Sequence, residues 1–271
     1  MSNAHTLASL RPNPRGEDAG ITEIRGPYYS SFGPSYLDDL LGAFAQFIDW
    51  VKLPGPAVLL LDDDTVRRYV ETCHRHEVKV SAGGAIEWVL TRGTKAVDLY
   101  FDTIARLGYD VVEVSAGMLA LGDRDYMRLV ERAKRTGLHV KAEVGIQFGA
   151  GGTSSAEELS RAGTGSVSAA LARAHRALEA GADMIILESE GVTESVVQWR
   201  VDVPAAFADS LGLQRLMFEA AEPAVFEWYV KNMGPEVNLF IDHSQVLHLE
   251  SLRSGVWGPN DLWGRVVTYR G

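Results

Sequence analysis

The sequence predicts a single (β/α)8 barrel, and three observations support this prediction. Short apolar runs of strand character alternate with segments of helical spacing, and about eight such pairs follow one another along the 271 residues. Glycine closes several of the helical segments, where helices commonly end. Several of the apolar runs end in a charged residue, and parallel barrels place their active sites at that edge of the sheet.

The predicted strands are rich in β-branched residues and bounded by turn residues. They cover residues 21–25, 49–53, 78–82, 110–115, 139–144, 183–188, 216–219 and 237–242. The predicted helices cover residues 35–47, 62–76, 85–92, 95–107, 123–136, 166–180, 204–211, 223–233 and 245–253. We expect Ser35 to cap the first of these helices. The connection through residues 192–200 is not assigned.

Two segments lack a regular period. Residues 1–20 are polar and rich in Pro, Gly and Arg, which predicts a flexible N-terminal arm before a barrel domain of residues 21–271. Residues 145–165 are rich in Gly, Ser and Thr, and a long irregular loop of this kind is usually functional or disordered. A doubly wound open sheet is the alternative fold. It requires a glycine-rich phosphate turn after the first strand, and ITEIRGPYYS is not such a turn.

Composition excludes several classes of protein. The formal net charge is −10 at pH 7, which disfavours nucleic acid and anionic membrane surfaces as partners. A small anionic substrate stays possible, because local Lys or Arg side chains or a metal can hold it. Cys73 is the only cysteine, which suits a reducing cytoplasm, and we interpret it as a buried apolar residue. No apolar run approaches the ~20 residues that span a bilayer, and the N-terminus lacks a signal pattern.

Aromatic and apolar residues near the C-terminus predict self-association. The segment VWGPNDLWGRVV, residues 256–267, is more apolar than a frayed end requires. It is expected to pack under the barrel or on a neighbouring subunit, so we predict a homo-oligomer. The six tryptophans share no spacing and are interpreted as packing or interface residues rather than as a platform for bases.

Charged residues recur at the C-terminal ends of the predicted strands. Lys52 and a set of acids stand there: Glu113, Glu143, Glu188, Glu219 and Asp242. Because side chains alternate between the two faces of a strand, these positions all point into the barrel mouth, together with Lys141, Ser115 and Asn238. So many acids repel one another unless a cation neutralises them, and Mg2+ with oxygen ligands is the economical solution.

Each of these residues also has a purely structural interpretation. A single acid at a strand end is about as often a cap or loop anchor as a ligand. His243 is either an acid–base group or a cap on the last helix, together with Ser244. The Gly83-Gly84 turn can offer backbone N–H groups to an anion, although a glycine pair after a strand is weak support by itself.

Several runs resemble the phosphosulfolactate synthase family in their order and spacing, over roughly residues 20–265. They are VKLPG, KVSAGG, YDVVEVSAG, KAEVG, AGADMIILE, FEAA and VNLFIDHSQVLHLESLRSG. The stretches ITEIRGPYY, ESEG and RLMFEAAEPAVFEWYVKNMGPEVNLF resemble the plant heat-stress-associated 32-kDa branch of this family. The resemblance implies a barrel that adds sulfite to phosphoenolpyruvate with Mg2+.

The resemblance implies metal-binding, proton-donating and substrate-binding roles for the residues predicted to point inward. Glu113, Glu143 and Glu188, with Glu219 and Asp242 as further acids, are expected to bind Mg2+, and Lys52, then Lys141, to protonate carbon. Arg25, Gly83, Gly84, Ser115 and Asn238 are expected to bind substrate. The sequence departs from the family where Ile146 replaces a lysine and where Ser189 and Glu190 replace an arginine suited to phosphate.

Two hypotheses follow from these observations. The first is a carbon–sulfur lyase that adds sulfite or a related nucleophile to phosphoenolpyruvate or a similar unsaturated acid. The second is a non-catalytic or ligand-binding barrel of the same family, with a stress-related or protein-interaction role. The number of cations at the mouth distinguishes the two, since the first must hold phosphate, carboxylate and sulfite together.

Overall fold

The fold is a closed barrel of eight parallel strands, as the sequence predicts. A computed structural model describes residues 20–150 and 154–261. The strands follow one another around the barrel in chain order, and β8 pairs with β1 to close it. The strands are β1 (Thr22–Arg25), β2 (Trp50–Leu53), β3 (Lys79–Ala82), β4 (Val111–Val114), β5 (His139–Val144), β6 (Met184–Leu187), β7 (Leu216–Glu219) and β8 (Leu239–Ile241).

Helices surround the barrel on its outer face. They are α1 (Pro34–Phe44), α2 (Gly55–Leu60), α3 (Asp63–Arg75), α4 (Ile86–Leu90), α5 (Thr94–Leu107), α6 (Asp123–Lys134), α7 (Ala156–Ala162), α8 (Val167–Glu179), α9 (Asp202–Leu211), α10 (Pro223–Met233) and α11 (Val246–Arg253). Short 3-10 turns cover Ala45–Phe47, Leu213–Arg215 and His243–Gln245.

Three local predictions are corrected by the structure. The residue before α1 is Gly33, and Pro34 opens the helix, so Ser35 lies inside α1 rather than at its cap. Helix α2 was not predicted, because its six residues are too few to show a helical period. The predicted loop over residues 145–165 contains α7, which begins with a capping box between Ser155 and Glu158.

The main core lies between the strands and the helices, and a smaller apolar cluster fills the inside of the barrel. That inner cluster consists of Trp50, Val111, Met184, Ile186, Met217 and Phe240. It blocks the barrel below the mouth, so the polar side chains above it face a closed floor. Cys73 is fully buried in the outer core, and burial raises the pKa of its thiol to about 12, as expected for an unreactive apolar residue.

Some predictions concern residues outside the described ranges. Residues 1–19 of the predicted N-terminal arm and residues 262–267 of the apolar C-terminal segment, with Trp263, lie outside the described residues. Among the helices that are described, none has the length and apolar character that a membrane crossing requires.

Candidate active site

A cavity of about 590 Å³ opens at the C-terminal ends of the strands. Its floor contains Lys52, Glu113, Glu143 and Glu219 from the strands themselves. The loops that follow the strands add Gly83, Gly84, Ser115, Glu188, Glu190 and Glu194. Glu87 also lines the cavity, so among the described residues the lining holds seven carboxyl groups but only two cationic side chains, Arg25 and Lys52.

A chain of ion pairs runs from this floor into the barrel. The Lys52 Nζ atom lies 2.7 Å from Glu113 Oε2 and 3.4 Å from Glu219 Oε1. Glu113 Oε2 also lies 3.3 Å from the Nζ atom of Lys141. Lys141 in turn pairs with Glu23, which accepts a hydrogen bond from Ser81. Two lysines thus hold Glu113 from two sides.

This arrangement keeps Lys52 charged. Burial by itself lowers the pKa of the Lys52 ammonium, but the negative charges of Glu113, Glu23 and Glu219 outweigh burial and raise it above its ordinary value. Burial by itself raises the pKa of Glu113, but the charges of Lys52 and Lys141 outweigh burial and lower this pKa below its ordinary value. At neutral pH the floor therefore presents an ammonium group beside an ionised carboxylate.

Glu143 and Glu188, which also line the cavity, have no ion pair with a described lysine or arginine that would offset their burial. Enclosure raises the pKa of Glu143 well above its ordinary value, and the charges of Glu188, Glu113 and Glu219 raise it further. Enclosure and the charge of Glu219 likewise raise the pKa of Glu188, although Glu188 accepts a hydrogen bond of 2.9 Å from the Glu190 N–H. This side of the cavity favours protons or a bound cation.

Arg25 is available to bind an anion. Its guanidinium lies over the rings of Tyr29 and Phe240, at 4.7 and 5.2 Å from the ring centroids. Among the described residues it has no carboxylate within ion-pairing distance. The Lys52 ammonium lies 3.8 Å from the centroid of the same Phe240 ring. Phe240 thus brings the two cations of the cavity to one place.

Ser115 and the glycine turn complete the polar lining. The Ser115 Oγ atom is buried without a hydrogen-bond partner in the described structure. A Cβ atom on Gly84 would lie 3.0 Å from this Oγ, so the turn approaches it closely. The Gly83 N–H is already bound to the Leu53 carbonyl, which leaves the Gly84 N–H as the donor that this turn can offer.

Four predicted site residues lie elsewhere or play another part. Asn238 is at the opposite end of the barrel, where it bonds Ile21 and the carbonyls of Leu213 and Leu216. Its predicted place at the mouth is wrong, because these contacts lie beside the N-terminal ends of β1 and β7. Lys141 also points inward, but it is completely buried beneath Glu113 and does not line the cavity, so it does not replace the lysine missing at Ile146.

The other two are Asp242 and His243, which follow β8. Asp242 caps the 3-10 turn and accepts hydrogen bonds from the Ser244 N–H at 3.0 Å and the Ser244 hydroxyl at 2.6 Å. His243 packs edge-on against Phe32 and Tyr36. Neither residue lines the cavity, so the capping interpretation fits this segment.

The sequence interpretation missed several residues of the site. Glu23 shares a strand face with Arg25, and this alternation in TEIR was a usable signal. Phe240 lies between Asn238 and Asp242 on the inward face of β8. Glu190 and Glu194 belong to a loop whose path no periodicity reveals, and Ser189 joins the two ends of this loop by donating a 2.6 Å hydrogen bond to Glu194.

The oxygen donors fit a hard divalent cation, but only in part. Within residues 20–150 and 154–261, no three side chains of metal-binding type already converge on one point. The predicted set of five acids is therefore not assembled, since Glu113 is held by two lysines and Asp242 lies outside. Glu143 and Glu188 still match Mg2+, which commonly takes one or two carboxylates together with waters and substrate oxygens.

Comparisons with known proteins agree with this architecture. The chain is 32% identical over 244 residues to Protein HEAT-STRESS-ASSOCIATED 32 of Arabidopsis thaliana, covering 86% of this chain and 85% of that protein. It is 27% identical over 254 residues to the phosphosulfolactate synthase of Methanothermobacter thermautotrophicus, covering 91% and 92% of the two chains.

Solved structures share the fold. A putative fructose-1,6-biphosphate aldolase from Coccidioides immitis superposes with a TM-score of 0.59 at 14% identity, over 91% of this chain and 85% of that one. The family model described as (2R)-phospho-3-sulfolactate synthase (ComA) matches residues 10–259. The chain therefore belongs to the (2R)-phospho-3-sulfolactate synthase (ComA) family.

Proposed function

We propose that this protein is a lyase that adds a nucleophile to the double bond of an unsaturated acid. Sulfite and phosphoenolpyruvate are the pair that the family name implies, and a related nucleophile or acid is equally compatible with the cavity. The observation that carries the proposal is the Lys52 ammonium, held 2.7 Å from Glu113 at the floor of the cavity and beside Arg25.

In this reaction Arg25 binds the substrate carboxylate, and Ser115 with the Gly84 N–H donates hydrogen bonds to an anionic oxygen. The lone pair of the nucleophile forms the bond to the β-carbon, and the electrons of the double bond move towards the α-carbon and its carboxylate. Lys52 then gives its proton to the α-carbon. Glu113 and Glu219 hold the ammonium group in place for this transfer.

Glu143 and Glu188 are the residues that would hold Mg2+, and the bound ion would supply positive charge that stabilises the charge developing on the substrate carboxylate. Without a cation, burial and the neighbouring carboxylates raise the pKa of both acids and so favour their uncharged form. Either state lessens their repulsion of an anionic substrate, so a cavity with seven carboxyl groups can still receive an acid.

A second candidate is a ligand-binding barrel without catalysis. The excess of carboxyl groups favours it, together with the departures from the synthases at Ile146 and Glu190. Ile146 is buried in the core and provides no cation, and Glu190 adds a negative charge to the lining. For the same reason we expect phosphoenolpyruvate with sulfite to be a poor substrate pair. The predicted self-association and cytoplasmic location stay predictions.

The test is a direct assay of addition. The purified protein is incubated with sulfite and either phosphoenolpyruvate or a panel of larger unsaturated acids, with and without Mg2+, and products are identified by NMR. We expect Mg2+-dependent addition to at least one acid, and a slower rate with phosphoenolpyruvate than an archaeal synthase assayed alongside. No addition to any acid would refute the lyase and leave the ligand-binding barrel.

A further inference from the structure

One side of the cavity entrance is apolar and exposed. We define the apolar rim as Tyr28, Tyr29, Leu59, Leu60, Trp88 and Met118, all of which line the cavity. These six account for a large share of the fifteen exposed large apolar side chains in the described structure. Trp88 is 50% exposed and Leu60 80% exposed. Such a concentration at one opening indicates a binding surface rather than scattered surface residues.

The rim is held in place by tight contacts. Gly55, at the start of α2, packs so closely on the backbone of Ala85, just before α4, that an added Cβ atom would lie 2.5 Å from the Ala85 nitrogen. The Glu87 carboxylate accepts hydrogen bonds from the N–H groups of Gly117 and Met118, at 3.2 and 2.8 Å. The helices that carry Leu59 and Trp88 and the loop that carries Met118 therefore form one unit.

Trp88 itself is supported on its outer side. The Arg92 guanidinium lies 4.5 Å from the centroid of its ring. An indole that is packed in this way loses little conformational entropy when a ligand covers its other face. The ring is thus prepared for an apolar contact at the entrance.

The rim continues without interruption into the polar floor. The same cavity contains Lys52, Arg25 and the Ser115 hydroxyl, which has no hydrogen-bond partner among the described residues. Its volume of about 590 Å³ lies within the range of sites that enclose drug-sized ligands, and a three-carbon acid fills only a small part of such a site. A ligand that fills the cavity must carry an anionic group at one end and an apolar group at the other.

We propose that the substrate of this barrel is an unsaturated acid with an apolar chain or ring, longer than phosphoenolpyruvate. This inference rests on the proposed function and specifies its substrate class. The carboxylate binds at Arg25 and Lys52, and the apolar group lies over Leu59, Leu60, Trp88 and Met118. Covering the rim removes apolar surface from water, and this burial supplies affinity that the acidic floor cannot.

The test measures binding rather than turnover. Propionate, pentanoate and heptanoate are titrated into the protein in Mg2+ buffer, and affinities are measured by calorimetry. These saturated acids have no double bond at which a nucleophile could add. We expect each added methylene to raise the affinity about two- to fourfold, as apolar burial predicts. The increments should disappear in Trp88→Ser and Leu60→Ser, whose side chains are exposed enough to be replaced without unfolding.

A matched control separates the rim from general surface effects. Leu247 is 58% exposed on α11 and does not line the cavity, so Leu247→Ser should bind the series as the wild type does. Affinities that do not depend on chain length would overturn the proposal, as would equal chain-length dependence in Trp88→Ser and the wild type. A change in oligomeric state in Leu60→Ser without any change in binding would also overturn it, because the rim would then join copies of the chain.

The two failures are distinguishable. If the lyase proposal is wrong, no unsaturated acid is turned over, yet the series of saturated acids still shows the increments. If the apolar rim is not a ligand site, the increments are absent, while the wild type still turns over a three-carbon acid.

Discussion

The two ends of the barrel each carry acid or amide side chains, but only those at the base accept hydrogen bonds from the backbone of neighbouring strands. At the N-terminal ends of β2, β4, β6 and β8, one such residue precedes each strand and accepts a backbone N–H from a neighbouring strand at 2.7–2.8 Å. The pairs are Asp49 with Thr22, Asp110 with Val80, Asp183 with Val140 and Asn238 with Ile21.

The side chains of the acids that the strands carry to the mouth, Glu113, Glu143 and Glu219, accept no backbone hydrogen bond from the described residues. The Glu143 carboxylate accepts no hydrogen bond from any described residue, and the 3.4 Å contact with Lys52 is the ion pair that the described residues give Glu219. The polar groups at the base accept hydrogen bonds from backbone N–H groups at the starts of β1, β3 and β5, so they contribute to stability. The polar groups at the mouth have few hydrogen-bond and ion-pair partners within the protein, so we expect them to contribute to binding and chemistry. The following variants test this division.

The largest effect is expected for Lys141→Met, in the layer between the two ends. This substitution leaves Glu23 and Glu113 as buried carboxylates that have lost a common partner. Removing one member of a buried ion pair commonly costs about 3–5 kcal/mol. Denaturant unfolding should show a loss of this size. A loss below about 1 kcal/mol would mean that the pair behaves like an exposed one, and would contradict its structural role.

Lys52→Met tests the mouth. We expect the addition rate on the best substrate to fall by about a hundredfold or more, the scale of a positioned acid–base group, which corresponds to about 2.7 kcal/mol. Kinetics and thermal melts on the same preparation provide the measurement. Retained activity per folded molecule, combined with a clear loss of stability, would make Lys52 a structural residue and remove it from the mechanism.

Asn238→Ala tests the base. The substitution removes the hydrogen bonds of a buried side chain to the Ile21 N–H and to the carbonyls of Leu213 and Leu216. We expect a loss of about 1–3 kcal/mol in the free energy of unfolding, with unchanged activity per folded molecule. A loss of activity without a loss of stability would instead support the prediction that Asn238 binds substrate.

The smallest effect is expected for Glu143→Gln, and it depends on pH and metal. Because the folded-state pKa of Glu143 lies above its ordinary value of 4.5, the native state holds more protons than the unfolded state once the pH exceeds about 4.5. The stability of the metal-free protein should therefore fall as pH rises above that value. Glu143→Gln should lessen the fall, which melts in the presence of a chelator can measure.

Mg2+ provides the complementary measurement. Binding to the folded state alone should raise the wild-type Tm by roughly 2–5 °C at neutral pH, and Glu143→Gln should abolish the rise. Glu157→Gln is the matched control, since Glu157 is exposed on α7 and lies outside the cavity. An unchanged wild-type Tm at high Mg2+ would contradict the metal assignment.

Local patterns in the sequence determined the barrel and the inward direction of its polar residues. The two-residue alternation of strands assigned Lys52, Glu113 and Glu143 to the inside, and the order of apolar runs and glycines predicted eight βα units. The strand boundaries differ by one or two residues at most, and β5 and β7 agree at both ends. These features depend on neighbouring residues, so the chain alone specifies them.

Only the tertiary structure decided which inward residues meet. Lys52 and Lys141 both point inward, yet strand register places one at the cavity and the other beneath Glu113. Asn238 precedes β8 and Asp242 follows it, and neither lines the cavity. The apolar rim joins Leu59, Trp88 and Met118 from three separate segments. Height in the barrel and contacts between distant segments depend on register and packing, and alternation along a single strand carries no information about either.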